Sequence, residues 1–205
     1  MTSRPIIFSA PMVRAIREGR KTQTRRVLKS LAGEDQLRVS PFVASGLETT
    51  HGREVNAPYK PGDLLWVREA WRVWSLFDGD PPRNMKPGPA IQYPADDPLS
   101  PWDSRTRSPI HMPRWASRIT LIVEDVRVQR LQDISEEDAM AEGVDAYLPG
   151  HGCATEVEAR ALRAEGYPYS PSYRDGFGVL WTTIHGPGAW DANPWVAAIT
   201  FRRQA

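Results

Sequence analysis

The sequence predicts an α+β chain: a small closed antiparallel or mixed β-barrel, decorated with peripheral helices and interrupted by long loops. Three observations carry that reading. The strand-like segments are short, far apart and joined by loops or helices, without the βαβ rhythm of a doubly wound sheet. Proline is abundant, 19 of 205 residues, or about 9% against roughly 5% on average, and it excludes regular structure where it clusters. Tryptophan supplies eight residues, large anchors that suit a loop-rich core. A length of 205 residues is enough for one domain with a core of its own, so 1–205 is expected to be a single domain.

The elements follow in order. Ile6 to Phe8 reads as an opening strand. Ser9 can then cap a helix with Pro11 in its first turn, where the missing N–H costs nothing. Met12, Val13 and Ile16 form the apolar stripe of that helix, and Gly19 is placed to end it. Lys21 to Leu28 is extended or looped. Residues 32–60 are polar and weakly patterned, a first irregular insertion. Pro61-Gly62-Asp63 turns into a buried strand from Leu64 to Glu69. A second insertion, residues 78–109, contains eight prolines. Arg118 to Leu131 alternates, with a phase shift at Glu124-Asp125 that marks either a bulge or a hairpin. Ser135 and Asp138 are spaced as a capping box for a short helix stopped at Gly143. Thr155 and Glu158 form a second box, for a helix ending at Gly166. Phe177, Leu180, Trp181 and Ile184 stand at i, i+3, i+4 and i+7, an amphipathic helix closed by Gly186-Pro187. Trp195, Ala197, Ile199 and Phe201 alternate in a closing strand.

A net charge of +1 argues against a general polyanion coat, but the charge is uneven. Arg14 to Lys29 holds seven basic residues and one acid, and Asp133 to Asp145 holds six acids and no base. Either the two segments are solvated faces or pair in the fold, or the basic one lines a phosphate groove with carboxylates at its edge. The single cysteine, Cys153, excludes an internal disulfide and fits a cytoplasmic location. The longest apolar run, Trp195 to Ile199, is far below the roughly 20 residues of a membrane span, so no membrane partner is expected. His51, His111, His151 and His185 lack zinc spacing, and no metal site is expected. There is no phosphate-binding loop, nucleophile elbow or dinucleotide fingerprint, so no cofactor is expected either.

The densest candidate site is Gly19-Arg20-Lys21-Thr22-Gln23-Thr24-Arg25-Arg26. A partly desolvated lysine gives up its proton easily and can act as a base, and a threonine beside it can act as nucleophile. The plain alternative is a solvated basic loop. Thr22, Arg25 and Arg26 are the binding candidates of this segment. Arg114 and Trp115 are a second pair, since a guanidinium beside an indole suits a nucleobase or phosphate. Trp66, Trp181 and Trp195 read as core anchors, whereas Trp115 and Trp190 lie in polar or glycine-rich surroundings. Arg68 and Glu69 read as members of structural ion pairs.

Gly19-x-Lys21-x-x-Thr24-x-Arg26 resembles the signature of the ASCH domain, a PUA-like β-barrel family, written Gly-x-Lys-x-x-Glu-x-Arg. Thr24 departs from the usual glutamate. Four further blocks resemble the form found in phage and prophage genomes: Pro61 to Glu69, His111 to Arg118, Ser135 to Gly143 and Gly186 to Trp195. The two insertions and the region around Cys153 are not covered. Lys-Thr-x-Thr at this place is similar to a bacterial ASCH branch that hydrolyses the amide of N4-acetylcytidine. The resemblance implies Thr24 as nucleophile, Lys21 as its base, and Glu142 as the acid that handles the leaving amine or orients the lysine. It implies a modified nucleoside or RNA as partner. The competing expectations are a non-catalytic RNA-binding module and a ribonuclease acting on single strands.

Overall fold

The computed structural model describes residues 2–34, 36–41, 47–97, 104–149, 152–165 and 172–204. In chain order the elements are β1 (Ser3–Ile7), α1 (Ala10–Arg17), β2 (Gln23–Val27), β3 (Leu37–Val39), β4 (Leu47–Thr49), β5 (Leu64–Arg68), β6 (Arg72–Val73) and β7 (Ile91–Gln92). They continue as β8 (Thr120–Arg130), α2 (Glu136–Ala141), β9 (Ala146–Leu148), β10 (Gly152–Ala154), α3 (Glu156–Ala164), α4 (Tyr173–His185) and β11 (Trp195–Arg203). The architecture is mixed α+β with a sheet-rich core. It packs as two compact units, one of Met1–Thr22, Pro61–Glu124 and Phe201–Ala205, the other of Gln23–Lys60 and Asp125–Thr200.

In the first unit β1 runs parallel to β5, with Ile6 opposite Val67, and β5 runs antiparallel to the start of β8, with Leu65 opposite Leu121. Those inward positions are fully buried or nearly so. Helix α1 follows Ser9 and carries Pro11 in its first turn, as the sequence requires, although the Ser9 hydroxyl makes no capping bond. Its buried stripe is Val13, Ala15 and Ile16, while Met12 is only half-buried. Gly19, at φ 79°, reverses the chain in a conformation that favours glycine. The amides of Arg20 and Lys21 then both reach the Ala15 carbonyl. A separate cluster of Trp71, Val73, Met112 and Ala116 lies beside the proline-rich excursion. The excursion is tied down by the β6–β7 pair and by a bridge from Trp71 to Arg107, so two of its segments do carry regular pairing.

In the second unit the strand order is β8-β11-β2. The alternation of Trp195, Ala197 and Ile199 predicts one buried face, but Val196, Ala197, Ala198 and Ile199 are all buried. A strand with neighbours on both edges and cover on both faces has no solvent side to alternate toward. The core here joins Leu131, Ile134 and Ala139 to Phe177 and Trp181 of α4 and to Val196. Residues 32–60, read from sequence as irregular, contain the antiparallel β3–β4 pair, with Leu37 opposite Thr49. Helix α3 begins with the expected box, Thr155 and Glu158 each bonding the other's backbone N–H. Its expected end at Gly166 lies outside the described residues, as does His151.

Among the described residues no pairing closes the strands on themselves, because β1 has β5 as its one partner strand. The phase shift within Arg118 to Leu131 belongs to one continuous strand, β8, not to a hairpin. Among the described residues no helix is long and apolar enough to cross a membrane.

Helix α4 departs from its sequence stripe in an informative way. Ile184 is 51% exposed, and the buried face is Gly176, Phe177, Gly178 and Trp181. A Cβ on Gly176 would lie 2.1 Å from the Asp145 carbonyl oxygen, and one on Gly178 would lie 3.3 Å from the Trp190 indole. Helix propensity alone would make Gly176→Ala stabilising by about 1 kcal/mol. The steric conflict reverses the sign, and urea unfolding is expected to show a net loss of about 1–3 kcal/mol. A stabilised Gly176→Ala protein would refute the close approach of α4 to Asp145.

Candidate functional site

Four of the five side chains from Lys21 to Arg25 are buried: Lys21, Gln23, Thr24 and Arg25 are each at most 4% exposed. Thr22 is the exposed member, and its carbonyl accepts the Phe201 amide at 2.8 Å. A solvated basic loop does not look like this, since lysine and arginine are rarely buried without a specific reason. In the first unit the Lys21 ammonium lies 5.6 Å from the centroid of the Phe8 ring.

The remaining residues of the segment belong to the second unit. Strand alternation puts Gln23 and Arg25 on one face of β2 and Thr24 and Arg26 on the other. Arg25 is spent on internal partners. Its Nη1 donates to Gln23 Oε1 at 2.6 Å and to Glu142 Oε1 at 3.0 Å, and its Nη2 donates to Asp138 Oδ2 at 2.8 Å. Its side chain has 0% exposure, and the guanidinium sits 5.6 Å from the Phe177 ring centroid. Glu142 is the C-cap of α2 and is 4% exposed, so it is not an ordinary solvated last-turn residue. Ser135 caps α2 by accepting the Asp138 amide at 3.1 Å. The Asp138 carboxylate accepts from Arg25, Arg127 and Gln23. The basic and acidic segments therefore pair, through Arg25.

Thr24 is buried on the opposite face, with its backbone paired to Ile199. Arg26 is half-buried, and burial lowers its guanidinium pKa against the opposing charges of Tyr59 and Glu142. Arg114 is exposed, with Nη2 3.3 Å from Thr120 Oγ1 and the guanidinium 5.7 Å from the Trp66 ring. Trp115 is half-buried and meets Trp71 edge-on at 6.3 Å. Trp190 packs against Phe177 at 6.2 Å. Sequence reasoning missed Gln23 and Asp138. The aspartate at a capping-box position that usually holds glutamate or glutamine was the available signal.

The first unit has its own ion network. Glu69, 1% exposed, accepts two bonds from Arg118, each 2.9 Å. This is the structural pair expected at Glu69. Arg118 lies 3.8 Å from the Tyr93 ring centroid and also bonds Asp96, which is paired with Arg17. Burial would lower the Arg118 pKa, but hydrogen bonds to Glu69 and Asp96 raise it overall. Hydrogen bonding from Arg118 holds the Asp96 carboxyl below its usual range. At Asp138 burial pushes upward, yet bonds from Arg127 and Gln23 and the charge of Arg25 bring it below the usual range.

These two depressed carboxyls contribute to the acid response. Their folded-state pKa lies under the unfolded value of about 3.9, so their contribution is complete above that value and is lost as pH falls through the folded one. Urea midpoints are expected to fall steadily below about pH 4, and Asp138→Asn should flatten that fall while lowering the midpoint at neutral pH. An unchanged acid slope in Asp138→Asn would remove Asp138 as a contributor.

Neither a family model nor a curated protein matches the chain. Among solved structures it is similar to an ASCH domain from Lactobacillus crispatus JV V101, at 10% identity, with 98% of this chain and 79% of that chain covered and a TM-score of 0.37.

Proposed function

We propose that the chain is an ASCH-type protein that recognises a nucleobase-containing ligand and hydrolyses the linear amide of an N4-acylated cytidine. The observation that supports it is the burial of Lys21 and Thr24, a base and a hydroxyl three residues apart, in the segment that resembles the ASCH signature. In this reading Thr24 Oγ attacks the acyl carbon while Lys21 Nζ takes its proton. The bond from the acyl carbon to N4 breaks, N4 receives that proton, and water then releases the acid from Thr24. Glu142 is ion-paired to Arg25 on the face of β2 opposite Thr24, so in this reading its role is electrostatic, exerted through Arg25, and not contact with the reacting atoms. Arg26, Arg114, Thr22 and Trp115 are the binding candidates, and Arg25 serves the site by holding Glu142.

The deciding experiment incubates the protein with N4-acetylcytidine, N4-acetylcytosine and longer N4-acyl forms and follows the freed cytidine or cytosine by chromatography. Product formation supports the amidohydrolase. Its absence, combined with RNA affinity that falls steeply and linearly in log salt, would replace it with a phosphate-gripping RNA module.

A further inference from the structure

A cavity of about 410 Å³ opens in the first unit, and none of the residues assigned to the deacylation site lines it. Its wall is apolar where Pro82, Met112 and Pro113 line it, and three basic side chains, Arg68, Arg83 and His111, complete it. The size is that of a small-molecule site, and an apolar wall with a few polar groups is the usual composition of one. Arg68 is fixed before any ligand arrives. Its guanidinium lies 4.6 Å from the Trp66 ring centroid, and its Nη1 donates to the Ile110 carbonyl at 3.1 Å. Its Nε is buried and has no acceptor among the described residues. An orphaned buried donor costs free energy unless a partner supplies the acceptor. Among the described residues no acidic side chain lines the cavity.

We infer that this cavity binds a small organic anion with a flat apolar body, whose phosphate or carboxylate is held by Arg68 and Arg83. Proline faces and a methionine thioether accept a flat ring without demanding hydrogen bonds. An arginine fork matches a carboxylate or phosphate in two-pronged fashion. Neither Thr24 nor Glu142 is among its lining residues, so the assignment stands or falls independently of the deacylation reading.

The test titrates the full chain with adenosine 5′-monophosphate, 2-naphthoate, adenosine and inorganic phosphate, by calorimetry and by backbone amide NMR shifts. Saturable binding is expected for the two aromatic anions, with shifts centred on the amides of Arg83, Ile110, His111 and Met112. Adenosine and inorganic phosphate should bind at least about tenfold more weakly, because each lacks one half of the recognition. A preference for the nucleotide identifies a phosphate ester as the natural anion, and a preference for naphthoate identifies a carboxylate. Arg83→Glu is exposed and should weaken the aromatic anions by about tenfold or more while leaving deacylation unchanged. Arg68→Met should do the same, with Arg83→Glu as the variant that leaves the Trp66 stack intact. The assignment is overturned if no probe binds, if inorganic phosphate binds as well as the aromatic anions, or if binding survives Arg83→Glu but is lost in Thr24→Val.

Discussion

Thr24→Val and Lys21→Met are each expected to lower deacylation of an N4-acylated cytidine by at least about a thousandfold, as removal of a nucleophile or its base does. These substitutions suit the structure better than alanine. Both side chains are buried, so alanine would leave a cavity and mix a folding defect with the chemical one. Valine keeps the branched shape that β2 accommodates, and methionine keeps the length of the lysine stem. Members of one catalytic unit give non-additive losses, so the double variant should be little worse than either single one. Single-turnover product formation measures this directly, with thermal unfolding run in parallel. Full activity in Thr24→Val would end the nucleophile assignment, and a lysine-activated water would then be the remaining route for Lys21.

The second large effect is on stability and concerns Arg25. Arg25→Met removes the cation that Glu142 and Asp138 share, although Arg127 still serves Asp138. Breaking a buried pair from one side costs about 3–5 kcal/mol, because a charge is left without its partner. Glu142→Gln keeps an oxygen acceptor toward Arg25 and loses the charge, so about 1–3 kcal/mol is expected there. Combining Arg25→Met with Glu142→Met removes both members and should recover part of the loss. Urea unfolding of the unsubstituted protein, Arg25→Met, Glu142→Met and the double variant completes the double-mutant cycle. Additive losses would show that the two groups are not coupled in solution. Activity separates the two roles of Glu142: an orienting carboxylate predicts a lower rate with an unchanged pH profile in Glu142→Gln, whereas a proton donor predicts loss of one limb of the profile.

The local parts of this chain were legible in its residues because local chemistry sets them. Pro11 behind Ser9, and Gly19 at positive φ, start and stop α1 without reference to anything distant. Leu64 to Arg68 is strand wherever it lies, and Ser135 caps α2 through its own hydroxyl. The Lys21–Arg26 segment was singled out by composition and spacing, and Glu69 was read as a structural ion-pair member. What the residues could not disclose depends on neighbours far along the chain. Nothing local shows why Gly176 and Gly178 stand in α4; Asp145 and Trp190, packed where Cβ atoms on the two glycines would lie, supply the reason. Trp71 shows no periodicity, yet it is fully buried in a cluster with Met112 and Ala116.

Arg25 marks the division most clearly. By sequence it is one more cation in a basic run, equivalent to Arg26 beside it. Sequence alone determined that a lysine, two threonines and two arginines would follow the end of α1, on a segment either extended or looped, because the glycine stop acts over a few residues. Only the tertiary structure decided that Arg25 faces Asp138 and Glu142 while Thr24 turns the other way. The reason is physical: a strand fixes which residues share a face, but the solvation and charge of that face are set by whichever distant segment packs on it, here α2, more than a hundred residues later.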